Sequence, residues 1–246
     1  MSASTDTPSA STEWRNKGNT HYKTASVEGL APTIVASRLT IACEYYQKAK
    51  KEAKNIDDEA SACKNIATAS FRIAKIYCDQ NREISEHTYH YKEALINFCL
   101  AADCGSRPDF GKDSSWQETT LSKLEDCLAH VIKVASEMEI NNRVQTLNFF
   151  ASSLQPEKYT YGKQTRFSLL LSVIDAELAE ALRAISDNDF RFAKSKLAEC
   201  HTPLVLAEEL IQNDSEEMEL NVQKEDIILN TCVAEALQAY DIGKVI

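Results

Sequence analysis

Residues 15–23 read Arg-Asn-Lys-Gly-Asn-Thr-His-Tyr-Lys. Arginine and lysine supply positive charge and asparagine amides supply fixed donors, the chemistry by which a protein holds a carboxylate or phosphate. Two further constellations could carry chemistry. His87 and His90 stand at i, i+3 near an expected helix start, a spacing at which two imidazoles can share a metal. No third ligand stands nearby, so they are expected as a surface pair. Cys99 and Cys104 flank an expected helix end and read as structural thiols rather than a redox site. The chain holds no Gly-rich phosphate loop, no His-Glu-x-x-His and no Gly-x-Ser-x-Gly motif. The expectation is a binding protein and not an enzyme, with no cofactor and no metal.

The bulk composition narrows the partners. The 246 residues carry a formal charge of −10. Such a chain repels nucleic acid and anionic membranes unless a local basic patch intervenes. The densest basic cluster, Lys48, Lys50 and Lys51, reads as a solvated helix face. The opening MSASTDTPSASTE has no apolar stretch, and no apolar run reaches a membrane-spanning length. The eight cysteines form no Cys-x-x-Cys. They suit thiols acting as small hydrophobes in a reducing compartment. A cytoplasmic protein is expected.

Only 6 glycines and 5 prolines occur, too few turn residues for a sheet protein of this length. Helix formers fill the long segments, so the fold class is all-α. Residues 1–11 read as a disordered tail and 12–246 as a single helical domain. Thr12 is the expected N-cap of a first helix that fails near Gly29. Pro32 then opens a second helix running to about Ala53. Asp57 and Asp58 favour the start of a third, and a turn at Asp79–Ser85 precedes a fourth through Ala102. The loop Cys104–Ser115 is the clearest break and is expected to separate halves 12–104 and 113–246. Further helices are expected over Leu121–Ala135, Val144–Leu154, Phe167–Ile185, Phe190–Ile211 and Glu217–Tyr240, with a loop from Gln155 to Thr165.

One spaced pattern recurs. Ala42, Tyr46 and Ala49; Ala94, Phe98 and Ala101; and Ala193, Leu197 and Cys200 each read small, bulky four residues on, small three later. These offsets share one helix face. Small residues let a neighbouring helix approach and the bulky one fills the gap, so repetition suggests stacked helical hairpins.

With Trp14 and Gly18 four apart in WRNKGNTHYKTA, the pattern resembles the tetratricopeptide repeat, whose second helix carries Ala-x-x-x-aromatic-x-x-Ala. The resemblance implies an α-solenoid of antiparallel hairpins, roughly nine or ten helices. The spacing departs from the family: Gly18 to Ala42 is 24 residues, and the later instances lie further apart than its period of about 34.

The resemblance also implies a groove. On family geometry Arg15, Asn19, Tyr22 and Lys23 face the concave side, joined by Lys64, Asn65, Thr68, Phe71 and Arg72. One branch of the family clamps the carboxylate of an acidic peptide tail. It uses a basic-x-x-Gly-Asn-x-x-Tyr-Lys helix, a second Asn, here Asn65, and a Lys and Arg four apart. Lys123 has Cys127 at that offset, so the clamp is incomplete. The expected function is a scaffold binding a peptide segment, acidic by donor chemistry. Two alternatives stand beside it. A phosphopeptide adaptor resembling the fourteen-three-three family would need Arg-Arg-Tyr phosphate motifs, which are missing. An all-α metal-dependent hydrolase would need clustered carboxylates around a metal.

Overall fold

The structure, a computed structural model, describes residues 9–155 and 160–243, the side chains of 240–243 excepted. The described residues are helical, with no strand. The elements are α1 (Ala10–Thr24), α2 (Pro32–Lys51), α3 (Ile56–Asp79), α4 (Ile84–Gly105), α5 (Ser114–Ser136), α6 (Ile140–Ser153), α7 (Thr160–Ser186), α8 (Phe190–Glu199), α9 (His201–Glu208) and α10 (Asp214–Gly243). The chain divides within α5, after His130, into two compact units, and Tyr161 belongs to the first. The expected boundary loop 104–115 thus lies inside the first unit.

In the first unit each helix from α1 to α4 packs on the next, the contact order of a hairpin stack. Side chains fix the directions. Arg15, early in α1, pairs with Asp58 in the first turn of α3 at 3.3 Å. Arg72, late in α3, donates to the Ala25 carbonyl at the end of α1 at 3.0 Å. Matching ends meet, so α1 and α3 run parallel with α2 antiparallel between them. Their core gathers Leu39, Ala42, Tyr46, Ile66 and Ile73.

The seam expected from the repeated pattern is buried at every position: Ala42, Tyr46, Ala49, Ala94, Phe98, Ala101, Ala193, Leu197 and Cys200. Tyr46 lies against Gly18, where a Cβ would stand 2.5 Å from the ring. The Trp14 ring stacks on Tyr45 at 5.9 Å.

In the second unit α10 packs on α8 and α9, and Leu169, Leu170 and Ile174 of α7 and Leu220 of α10 are buried. Asn188 takes a left-handed φ of 60° and Asp189 N–H closes onto the Ala184 carbonyl at 2.8 Å, ending α7. Asp189 then caps α8 by accepting from Phe192 N–H at 3.1 Å. Glu177 and Lys196, both buried, pair at 3.1 Å.

Several expected boundaries move. Ser9, not Thr12, caps α1: its Oγ accepts from Thr12 N–H, so 10 and 11 are helical and Ser11 is buried. The rest of the expected tail, residues 1–8, lies outside the described residues. Helix α1 ends at Thr24, before Gly29. Helix α7 begins at Thr160 inside the expected loop, because Asp103 Oδ1 accepts from the N–H groups of Thr160 and Tyr161 at 2.9 and 3.3 Å. The helix expected over Phe190–Ile211 breaks at Cys200. Pro203 has no N–H for the Glu199 carbonyl, which removes the bond that would carry the helix across.

Candidate functional site

The site is built from α3, the 106–113 loop and the start of α5, all in the first unit. Gly111 N–H donates to Asp57 Oδ1 at 2.9 Å, fastening the loop to the first turn of α3. A Cβ at Gly111 would meet the same carboxylate at 2.7 Å. Asp113 Oδ1 accepts from Trp116 N–H at 3.1 Å and from Ser115 Oγ at 2.8 Å, which caps α5 and holds its carboxyl below the usual range. Phe110 packs on Trp116 at 4.9 Å, and Gln117 Nε2 donates to the Ala102 carbonyl at 2.9 Å. The first turn of α5 is therefore anchored by its cap and by Ala102, and the Trp116 ring by Phe110.

Two lysine ammonium groups lie over the Trp116 ring, Lys64 at 4.4 Å and Lys112 at 4.9 Å from its centre. An indole face attracts a cation. Lys64 Nζ also donates to the Trp116 carbonyl at 3.3 Å, and Lys112 donates to Ser61 Oγ. Burial lowers the Lys64 amine to about 8, and the charges of Lys123 and Lys112 push the same way. Lys112 is lowered by burial first and then by Arg15, against the pull of Asp57 and Asp58. Among the described residues none of Lys64, Lys112 and Lys123 forms an ion pair. Three cations share one half-buried patch on a protein of net charge −10. An anion that entered would relieve the repulsion that Lys112 and Lys123 exert on Lys64.

The groove residues expected from the sequence separate into two groups. Arg15 is occupied by Asp58. Arg72 donates to Ser26 Oγ at 2.8 Å and to the Ala25 carbonyl, with its guanidinium 5.8 Å from the centre of the Tyr22 ring. Asn19 Oδ1 accepts from Tyr46 Oη at 2.9 Å. These side chains stitch α1, α2 and α3 together, so neither arginine is a spare donor. Tyr22 packs on the core, and Thr68 Oγ1 donates to the Lys64 carbonyl at 2.8 Å. Phe71 meets Tyr91 and His130 at 6.2 and 5.7 Å. Lys23 is exposed in the last turn of α1, where a cation suits the helix dipole. Lys64 stands with the new partners Lys112 and Trp116. Asn65, half-buried beside it, makes no side-chain hydrogen bond among the described residues.

Lys112 and Trp116 were not expected in the site, since the 104–115 loop read as a boundary. The available signal was Asp113 three residues before Trp116, a cap that orients an aromatic at a helix start. Cys127, where the clamp would need an arginine, is fully buried, and burial raises its thiol well above the ordinary value.

The two histidines correct an expectation. His87 is buried rather than on the surface, edge-on to Tyr91 at 6.1 Å, and burial lowers its imidazole. His90 packs edge-on to Tyr77 and Tyr89. A cleft of about 200 Å³ lies nearby, lined by Cys43, Glu44, Ser70, Tyr89, His90 and Glu93 among others. Burial raises the Cys43 thiol to about 11, which makes it a poor nucleophile. No disulfide joins the cysteines. Among the described residues no group of three or more His, Cys, Asp or Glu could hold a metal ion, and no helix is long and apolar enough to cross a membrane.

No family model, no curated protein and no solved structure matches the chain.

Proposed function

We propose that the chain is an interaction scaffold of tetratricopeptide-like hairpins that binds an acidic peptide segment. The segment's carboxylates meet Lys64, Lys112 and Lys123, with Asn65 as a fixed amide donor and Trp116 as an apolar wall. The observation that carries this reading is the lysine cluster: Lys64 and Lys112 share the Trp116 face, Lys112 and Lys123 repel the Lys64 charge, and among the described residues none of the three forms an ion pair. Lysine binds anions as a point charge rather than a geometric fork. The site therefore suits a run of Asp and Glu more than one oriented terminal carboxylate. The reading places the protein in the cytoplasm, where its thiols stay reduced.

The indole reports on the site. In a Trp14→Phe variant, Trp116 is the remaining tryptophan. Titration with an Asp- and Glu-rich peptide is expected to change its emission saturably, with weakening in high salt. The same peptide with Asn and Gln in place of its acids should leave emission unchanged. Equal responses to both peptides would overturn the proposal. Amidation of the acidic peptide's C-terminus distinguishes a tail clamp from an internal acidic run, and little effect is expected.

A further inference from the structure

Helix α10 is apolar on two opposite faces. One face packs on α8 and α9 and buries Leu220 and Ala234 completely. Half a turn away, Met218, Val222, Leu229, Val233 and Leu237 follow one another at spacings of four and seven, so they form one stripe. Met218, Val222 and Leu229 are 68%, 56% and 61% exposed. A surface helix ordinarily turns a polar face outward. Here the outward face has the anchor spacing with which one helix receives another.

Charge selects the occupant. Glu225 and Asp226 are exposed within the stripe, between Val222 and Leu229, and neither forms an ion pair among the described residues. The helix as a whole carries eight carboxylates against one lysine, Lys224, and that lysine is paired with Glu208. A second copy fits poorly, because the stripe's midpoint lies beside these two acids. A two-fold pairing would bring both pairs together as like charges. An anionic lipid surface would be repelled in the same way. We infer that the stripe docks an amphipathic helix of a partner protein, with Lys or Arg at the middle of its apolar face to meet Glu225 and Asp226. This surface is independent of the lysine site on α3 and α5.

The test uses the full chain and a labelled helical peptide of Leu and Lys in amphipathic order, with a control carrying Glu for Lys. Anisotropy should show binding of the Lys peptide and none of the Glu peptide. Glu225→Gln with Asp226→Asn should weaken binding about tenfold. Leu229→Ser with Val233→Ser should abolish it while leaving the melting temperature unchanged. Lys64→Gln should leave it unaltered. Light scattering should report a monomer. The inference is overturned if wild type is a dimer that Leu229→Ser dissociates, if the Glu peptide binds as well, or if the serine variant keeps wild-type affinity.

Discussion

Gly18→Ala adds a single methyl group at the tightest point of the α1–α2 seam. The new Cβ would stand 2.5 Å from Tyr46 Cε1, 2.7 Å from Cδ1 and 3.0 Å from Cζ, where carbon contacts settle near ~3.5–4.0 Å. The ring would have to retreat by about 1 Å. It has little freedom to do so. Tyr46 is buried between Ala42 and Ala49, and its hydroxyl is tied to Asn19 at 2.9 Å. Helix propensity acts the other way, favouring alanine by about 0.5–1 kcal/mol. Overpacking costs about 1–3 kcal/mol, and a strained or lost Tyr46–Asn19 bond about 1 kcal/mol more. The net expectation is about 1–3 kcal/mol of destabilisation, read by urea unfolding followed by circular dichroism. A cycle with Tyr46→Leu isolates the cause. Once the ring is gone, Gly18→Ala should stabilise by about 0.5–1 kcal/mol, its helix-propensity value. A Gly18→Ala protein at least as stable as wild type would mean that the methyl finds room beside Tyr46 and that the α1–α2 seam is looser than this contact requires.

Ala94→Leu, at a fully buried seam position, should cost about 1–3 kcal/mol by overpacking and lower the melting temperature. Lys196→Met strands the buried Glu177 carboxylate and should destabilise by about 3–5 kcal/mol at neutral pH. Burial has already raised that carboxyl, so the loss should shrink as pH falls and Glu177 takes up a proton. Adding Glu177→Leu should recover most of it. His87 and His90 are held below the ordinary imidazole value of 6.5 by burial. The unfolded chain therefore binds more protons in that window, and stability should fall as pH drops through and below 6.5. A melting temperature insensitive to this range, or one equally sensitive in a His87→Phe, His90→Phe variant, would contradict the assignment.

The helical class and the seams were legible because they rest on local offsets. Small residues around Tyr46, Phe98 and Leu197 mark the buried face whatever the helices later meet. That Gly18 is what meets the Tyr46 ring was not read from the sequence, because it depends on how α1 lies on α2. Helix ends were less legible where the partner is remote. Asp103 caps Thr160 and Tyr161 from 57 and 58 residues away, so a stretch with Gly162 that reads as loop becomes the first turn of α7. The site was half legible. Arg15, Arg72 and Asn19 have the right chemistry for an anion. However, Asp58, the Ala25 carbonyl and Tyr46 reach them first, and those partners come from other helices. Lys64 was named from its register, whereas Lys112 and Trp116 needed the loop fastened by Gly111 to Asp57 before they could be seen beside it.

In the proposed function Lys64 of α3, Lys112 of the loop before α5 and Lys123 of α5 receive an acidic segment. Calorimetry of wild type and of Lys64→Gln with Lys123→Gln against one Asp- and Glu-rich peptide tests it most directly. Each ammonium–carboxylate contact at a half-exposed site contributes about 0.2–1 kcal/mol, and the lost pair should weaken binding by about twofold to thirtyfold. Wild-type affinity should also decline as pH rises through about 8, where Lys64 loses its proton. Equal affinity of the two proteins, or a wild-type affinity that holds across that pH range, would mean that these lysines do not hold the segment.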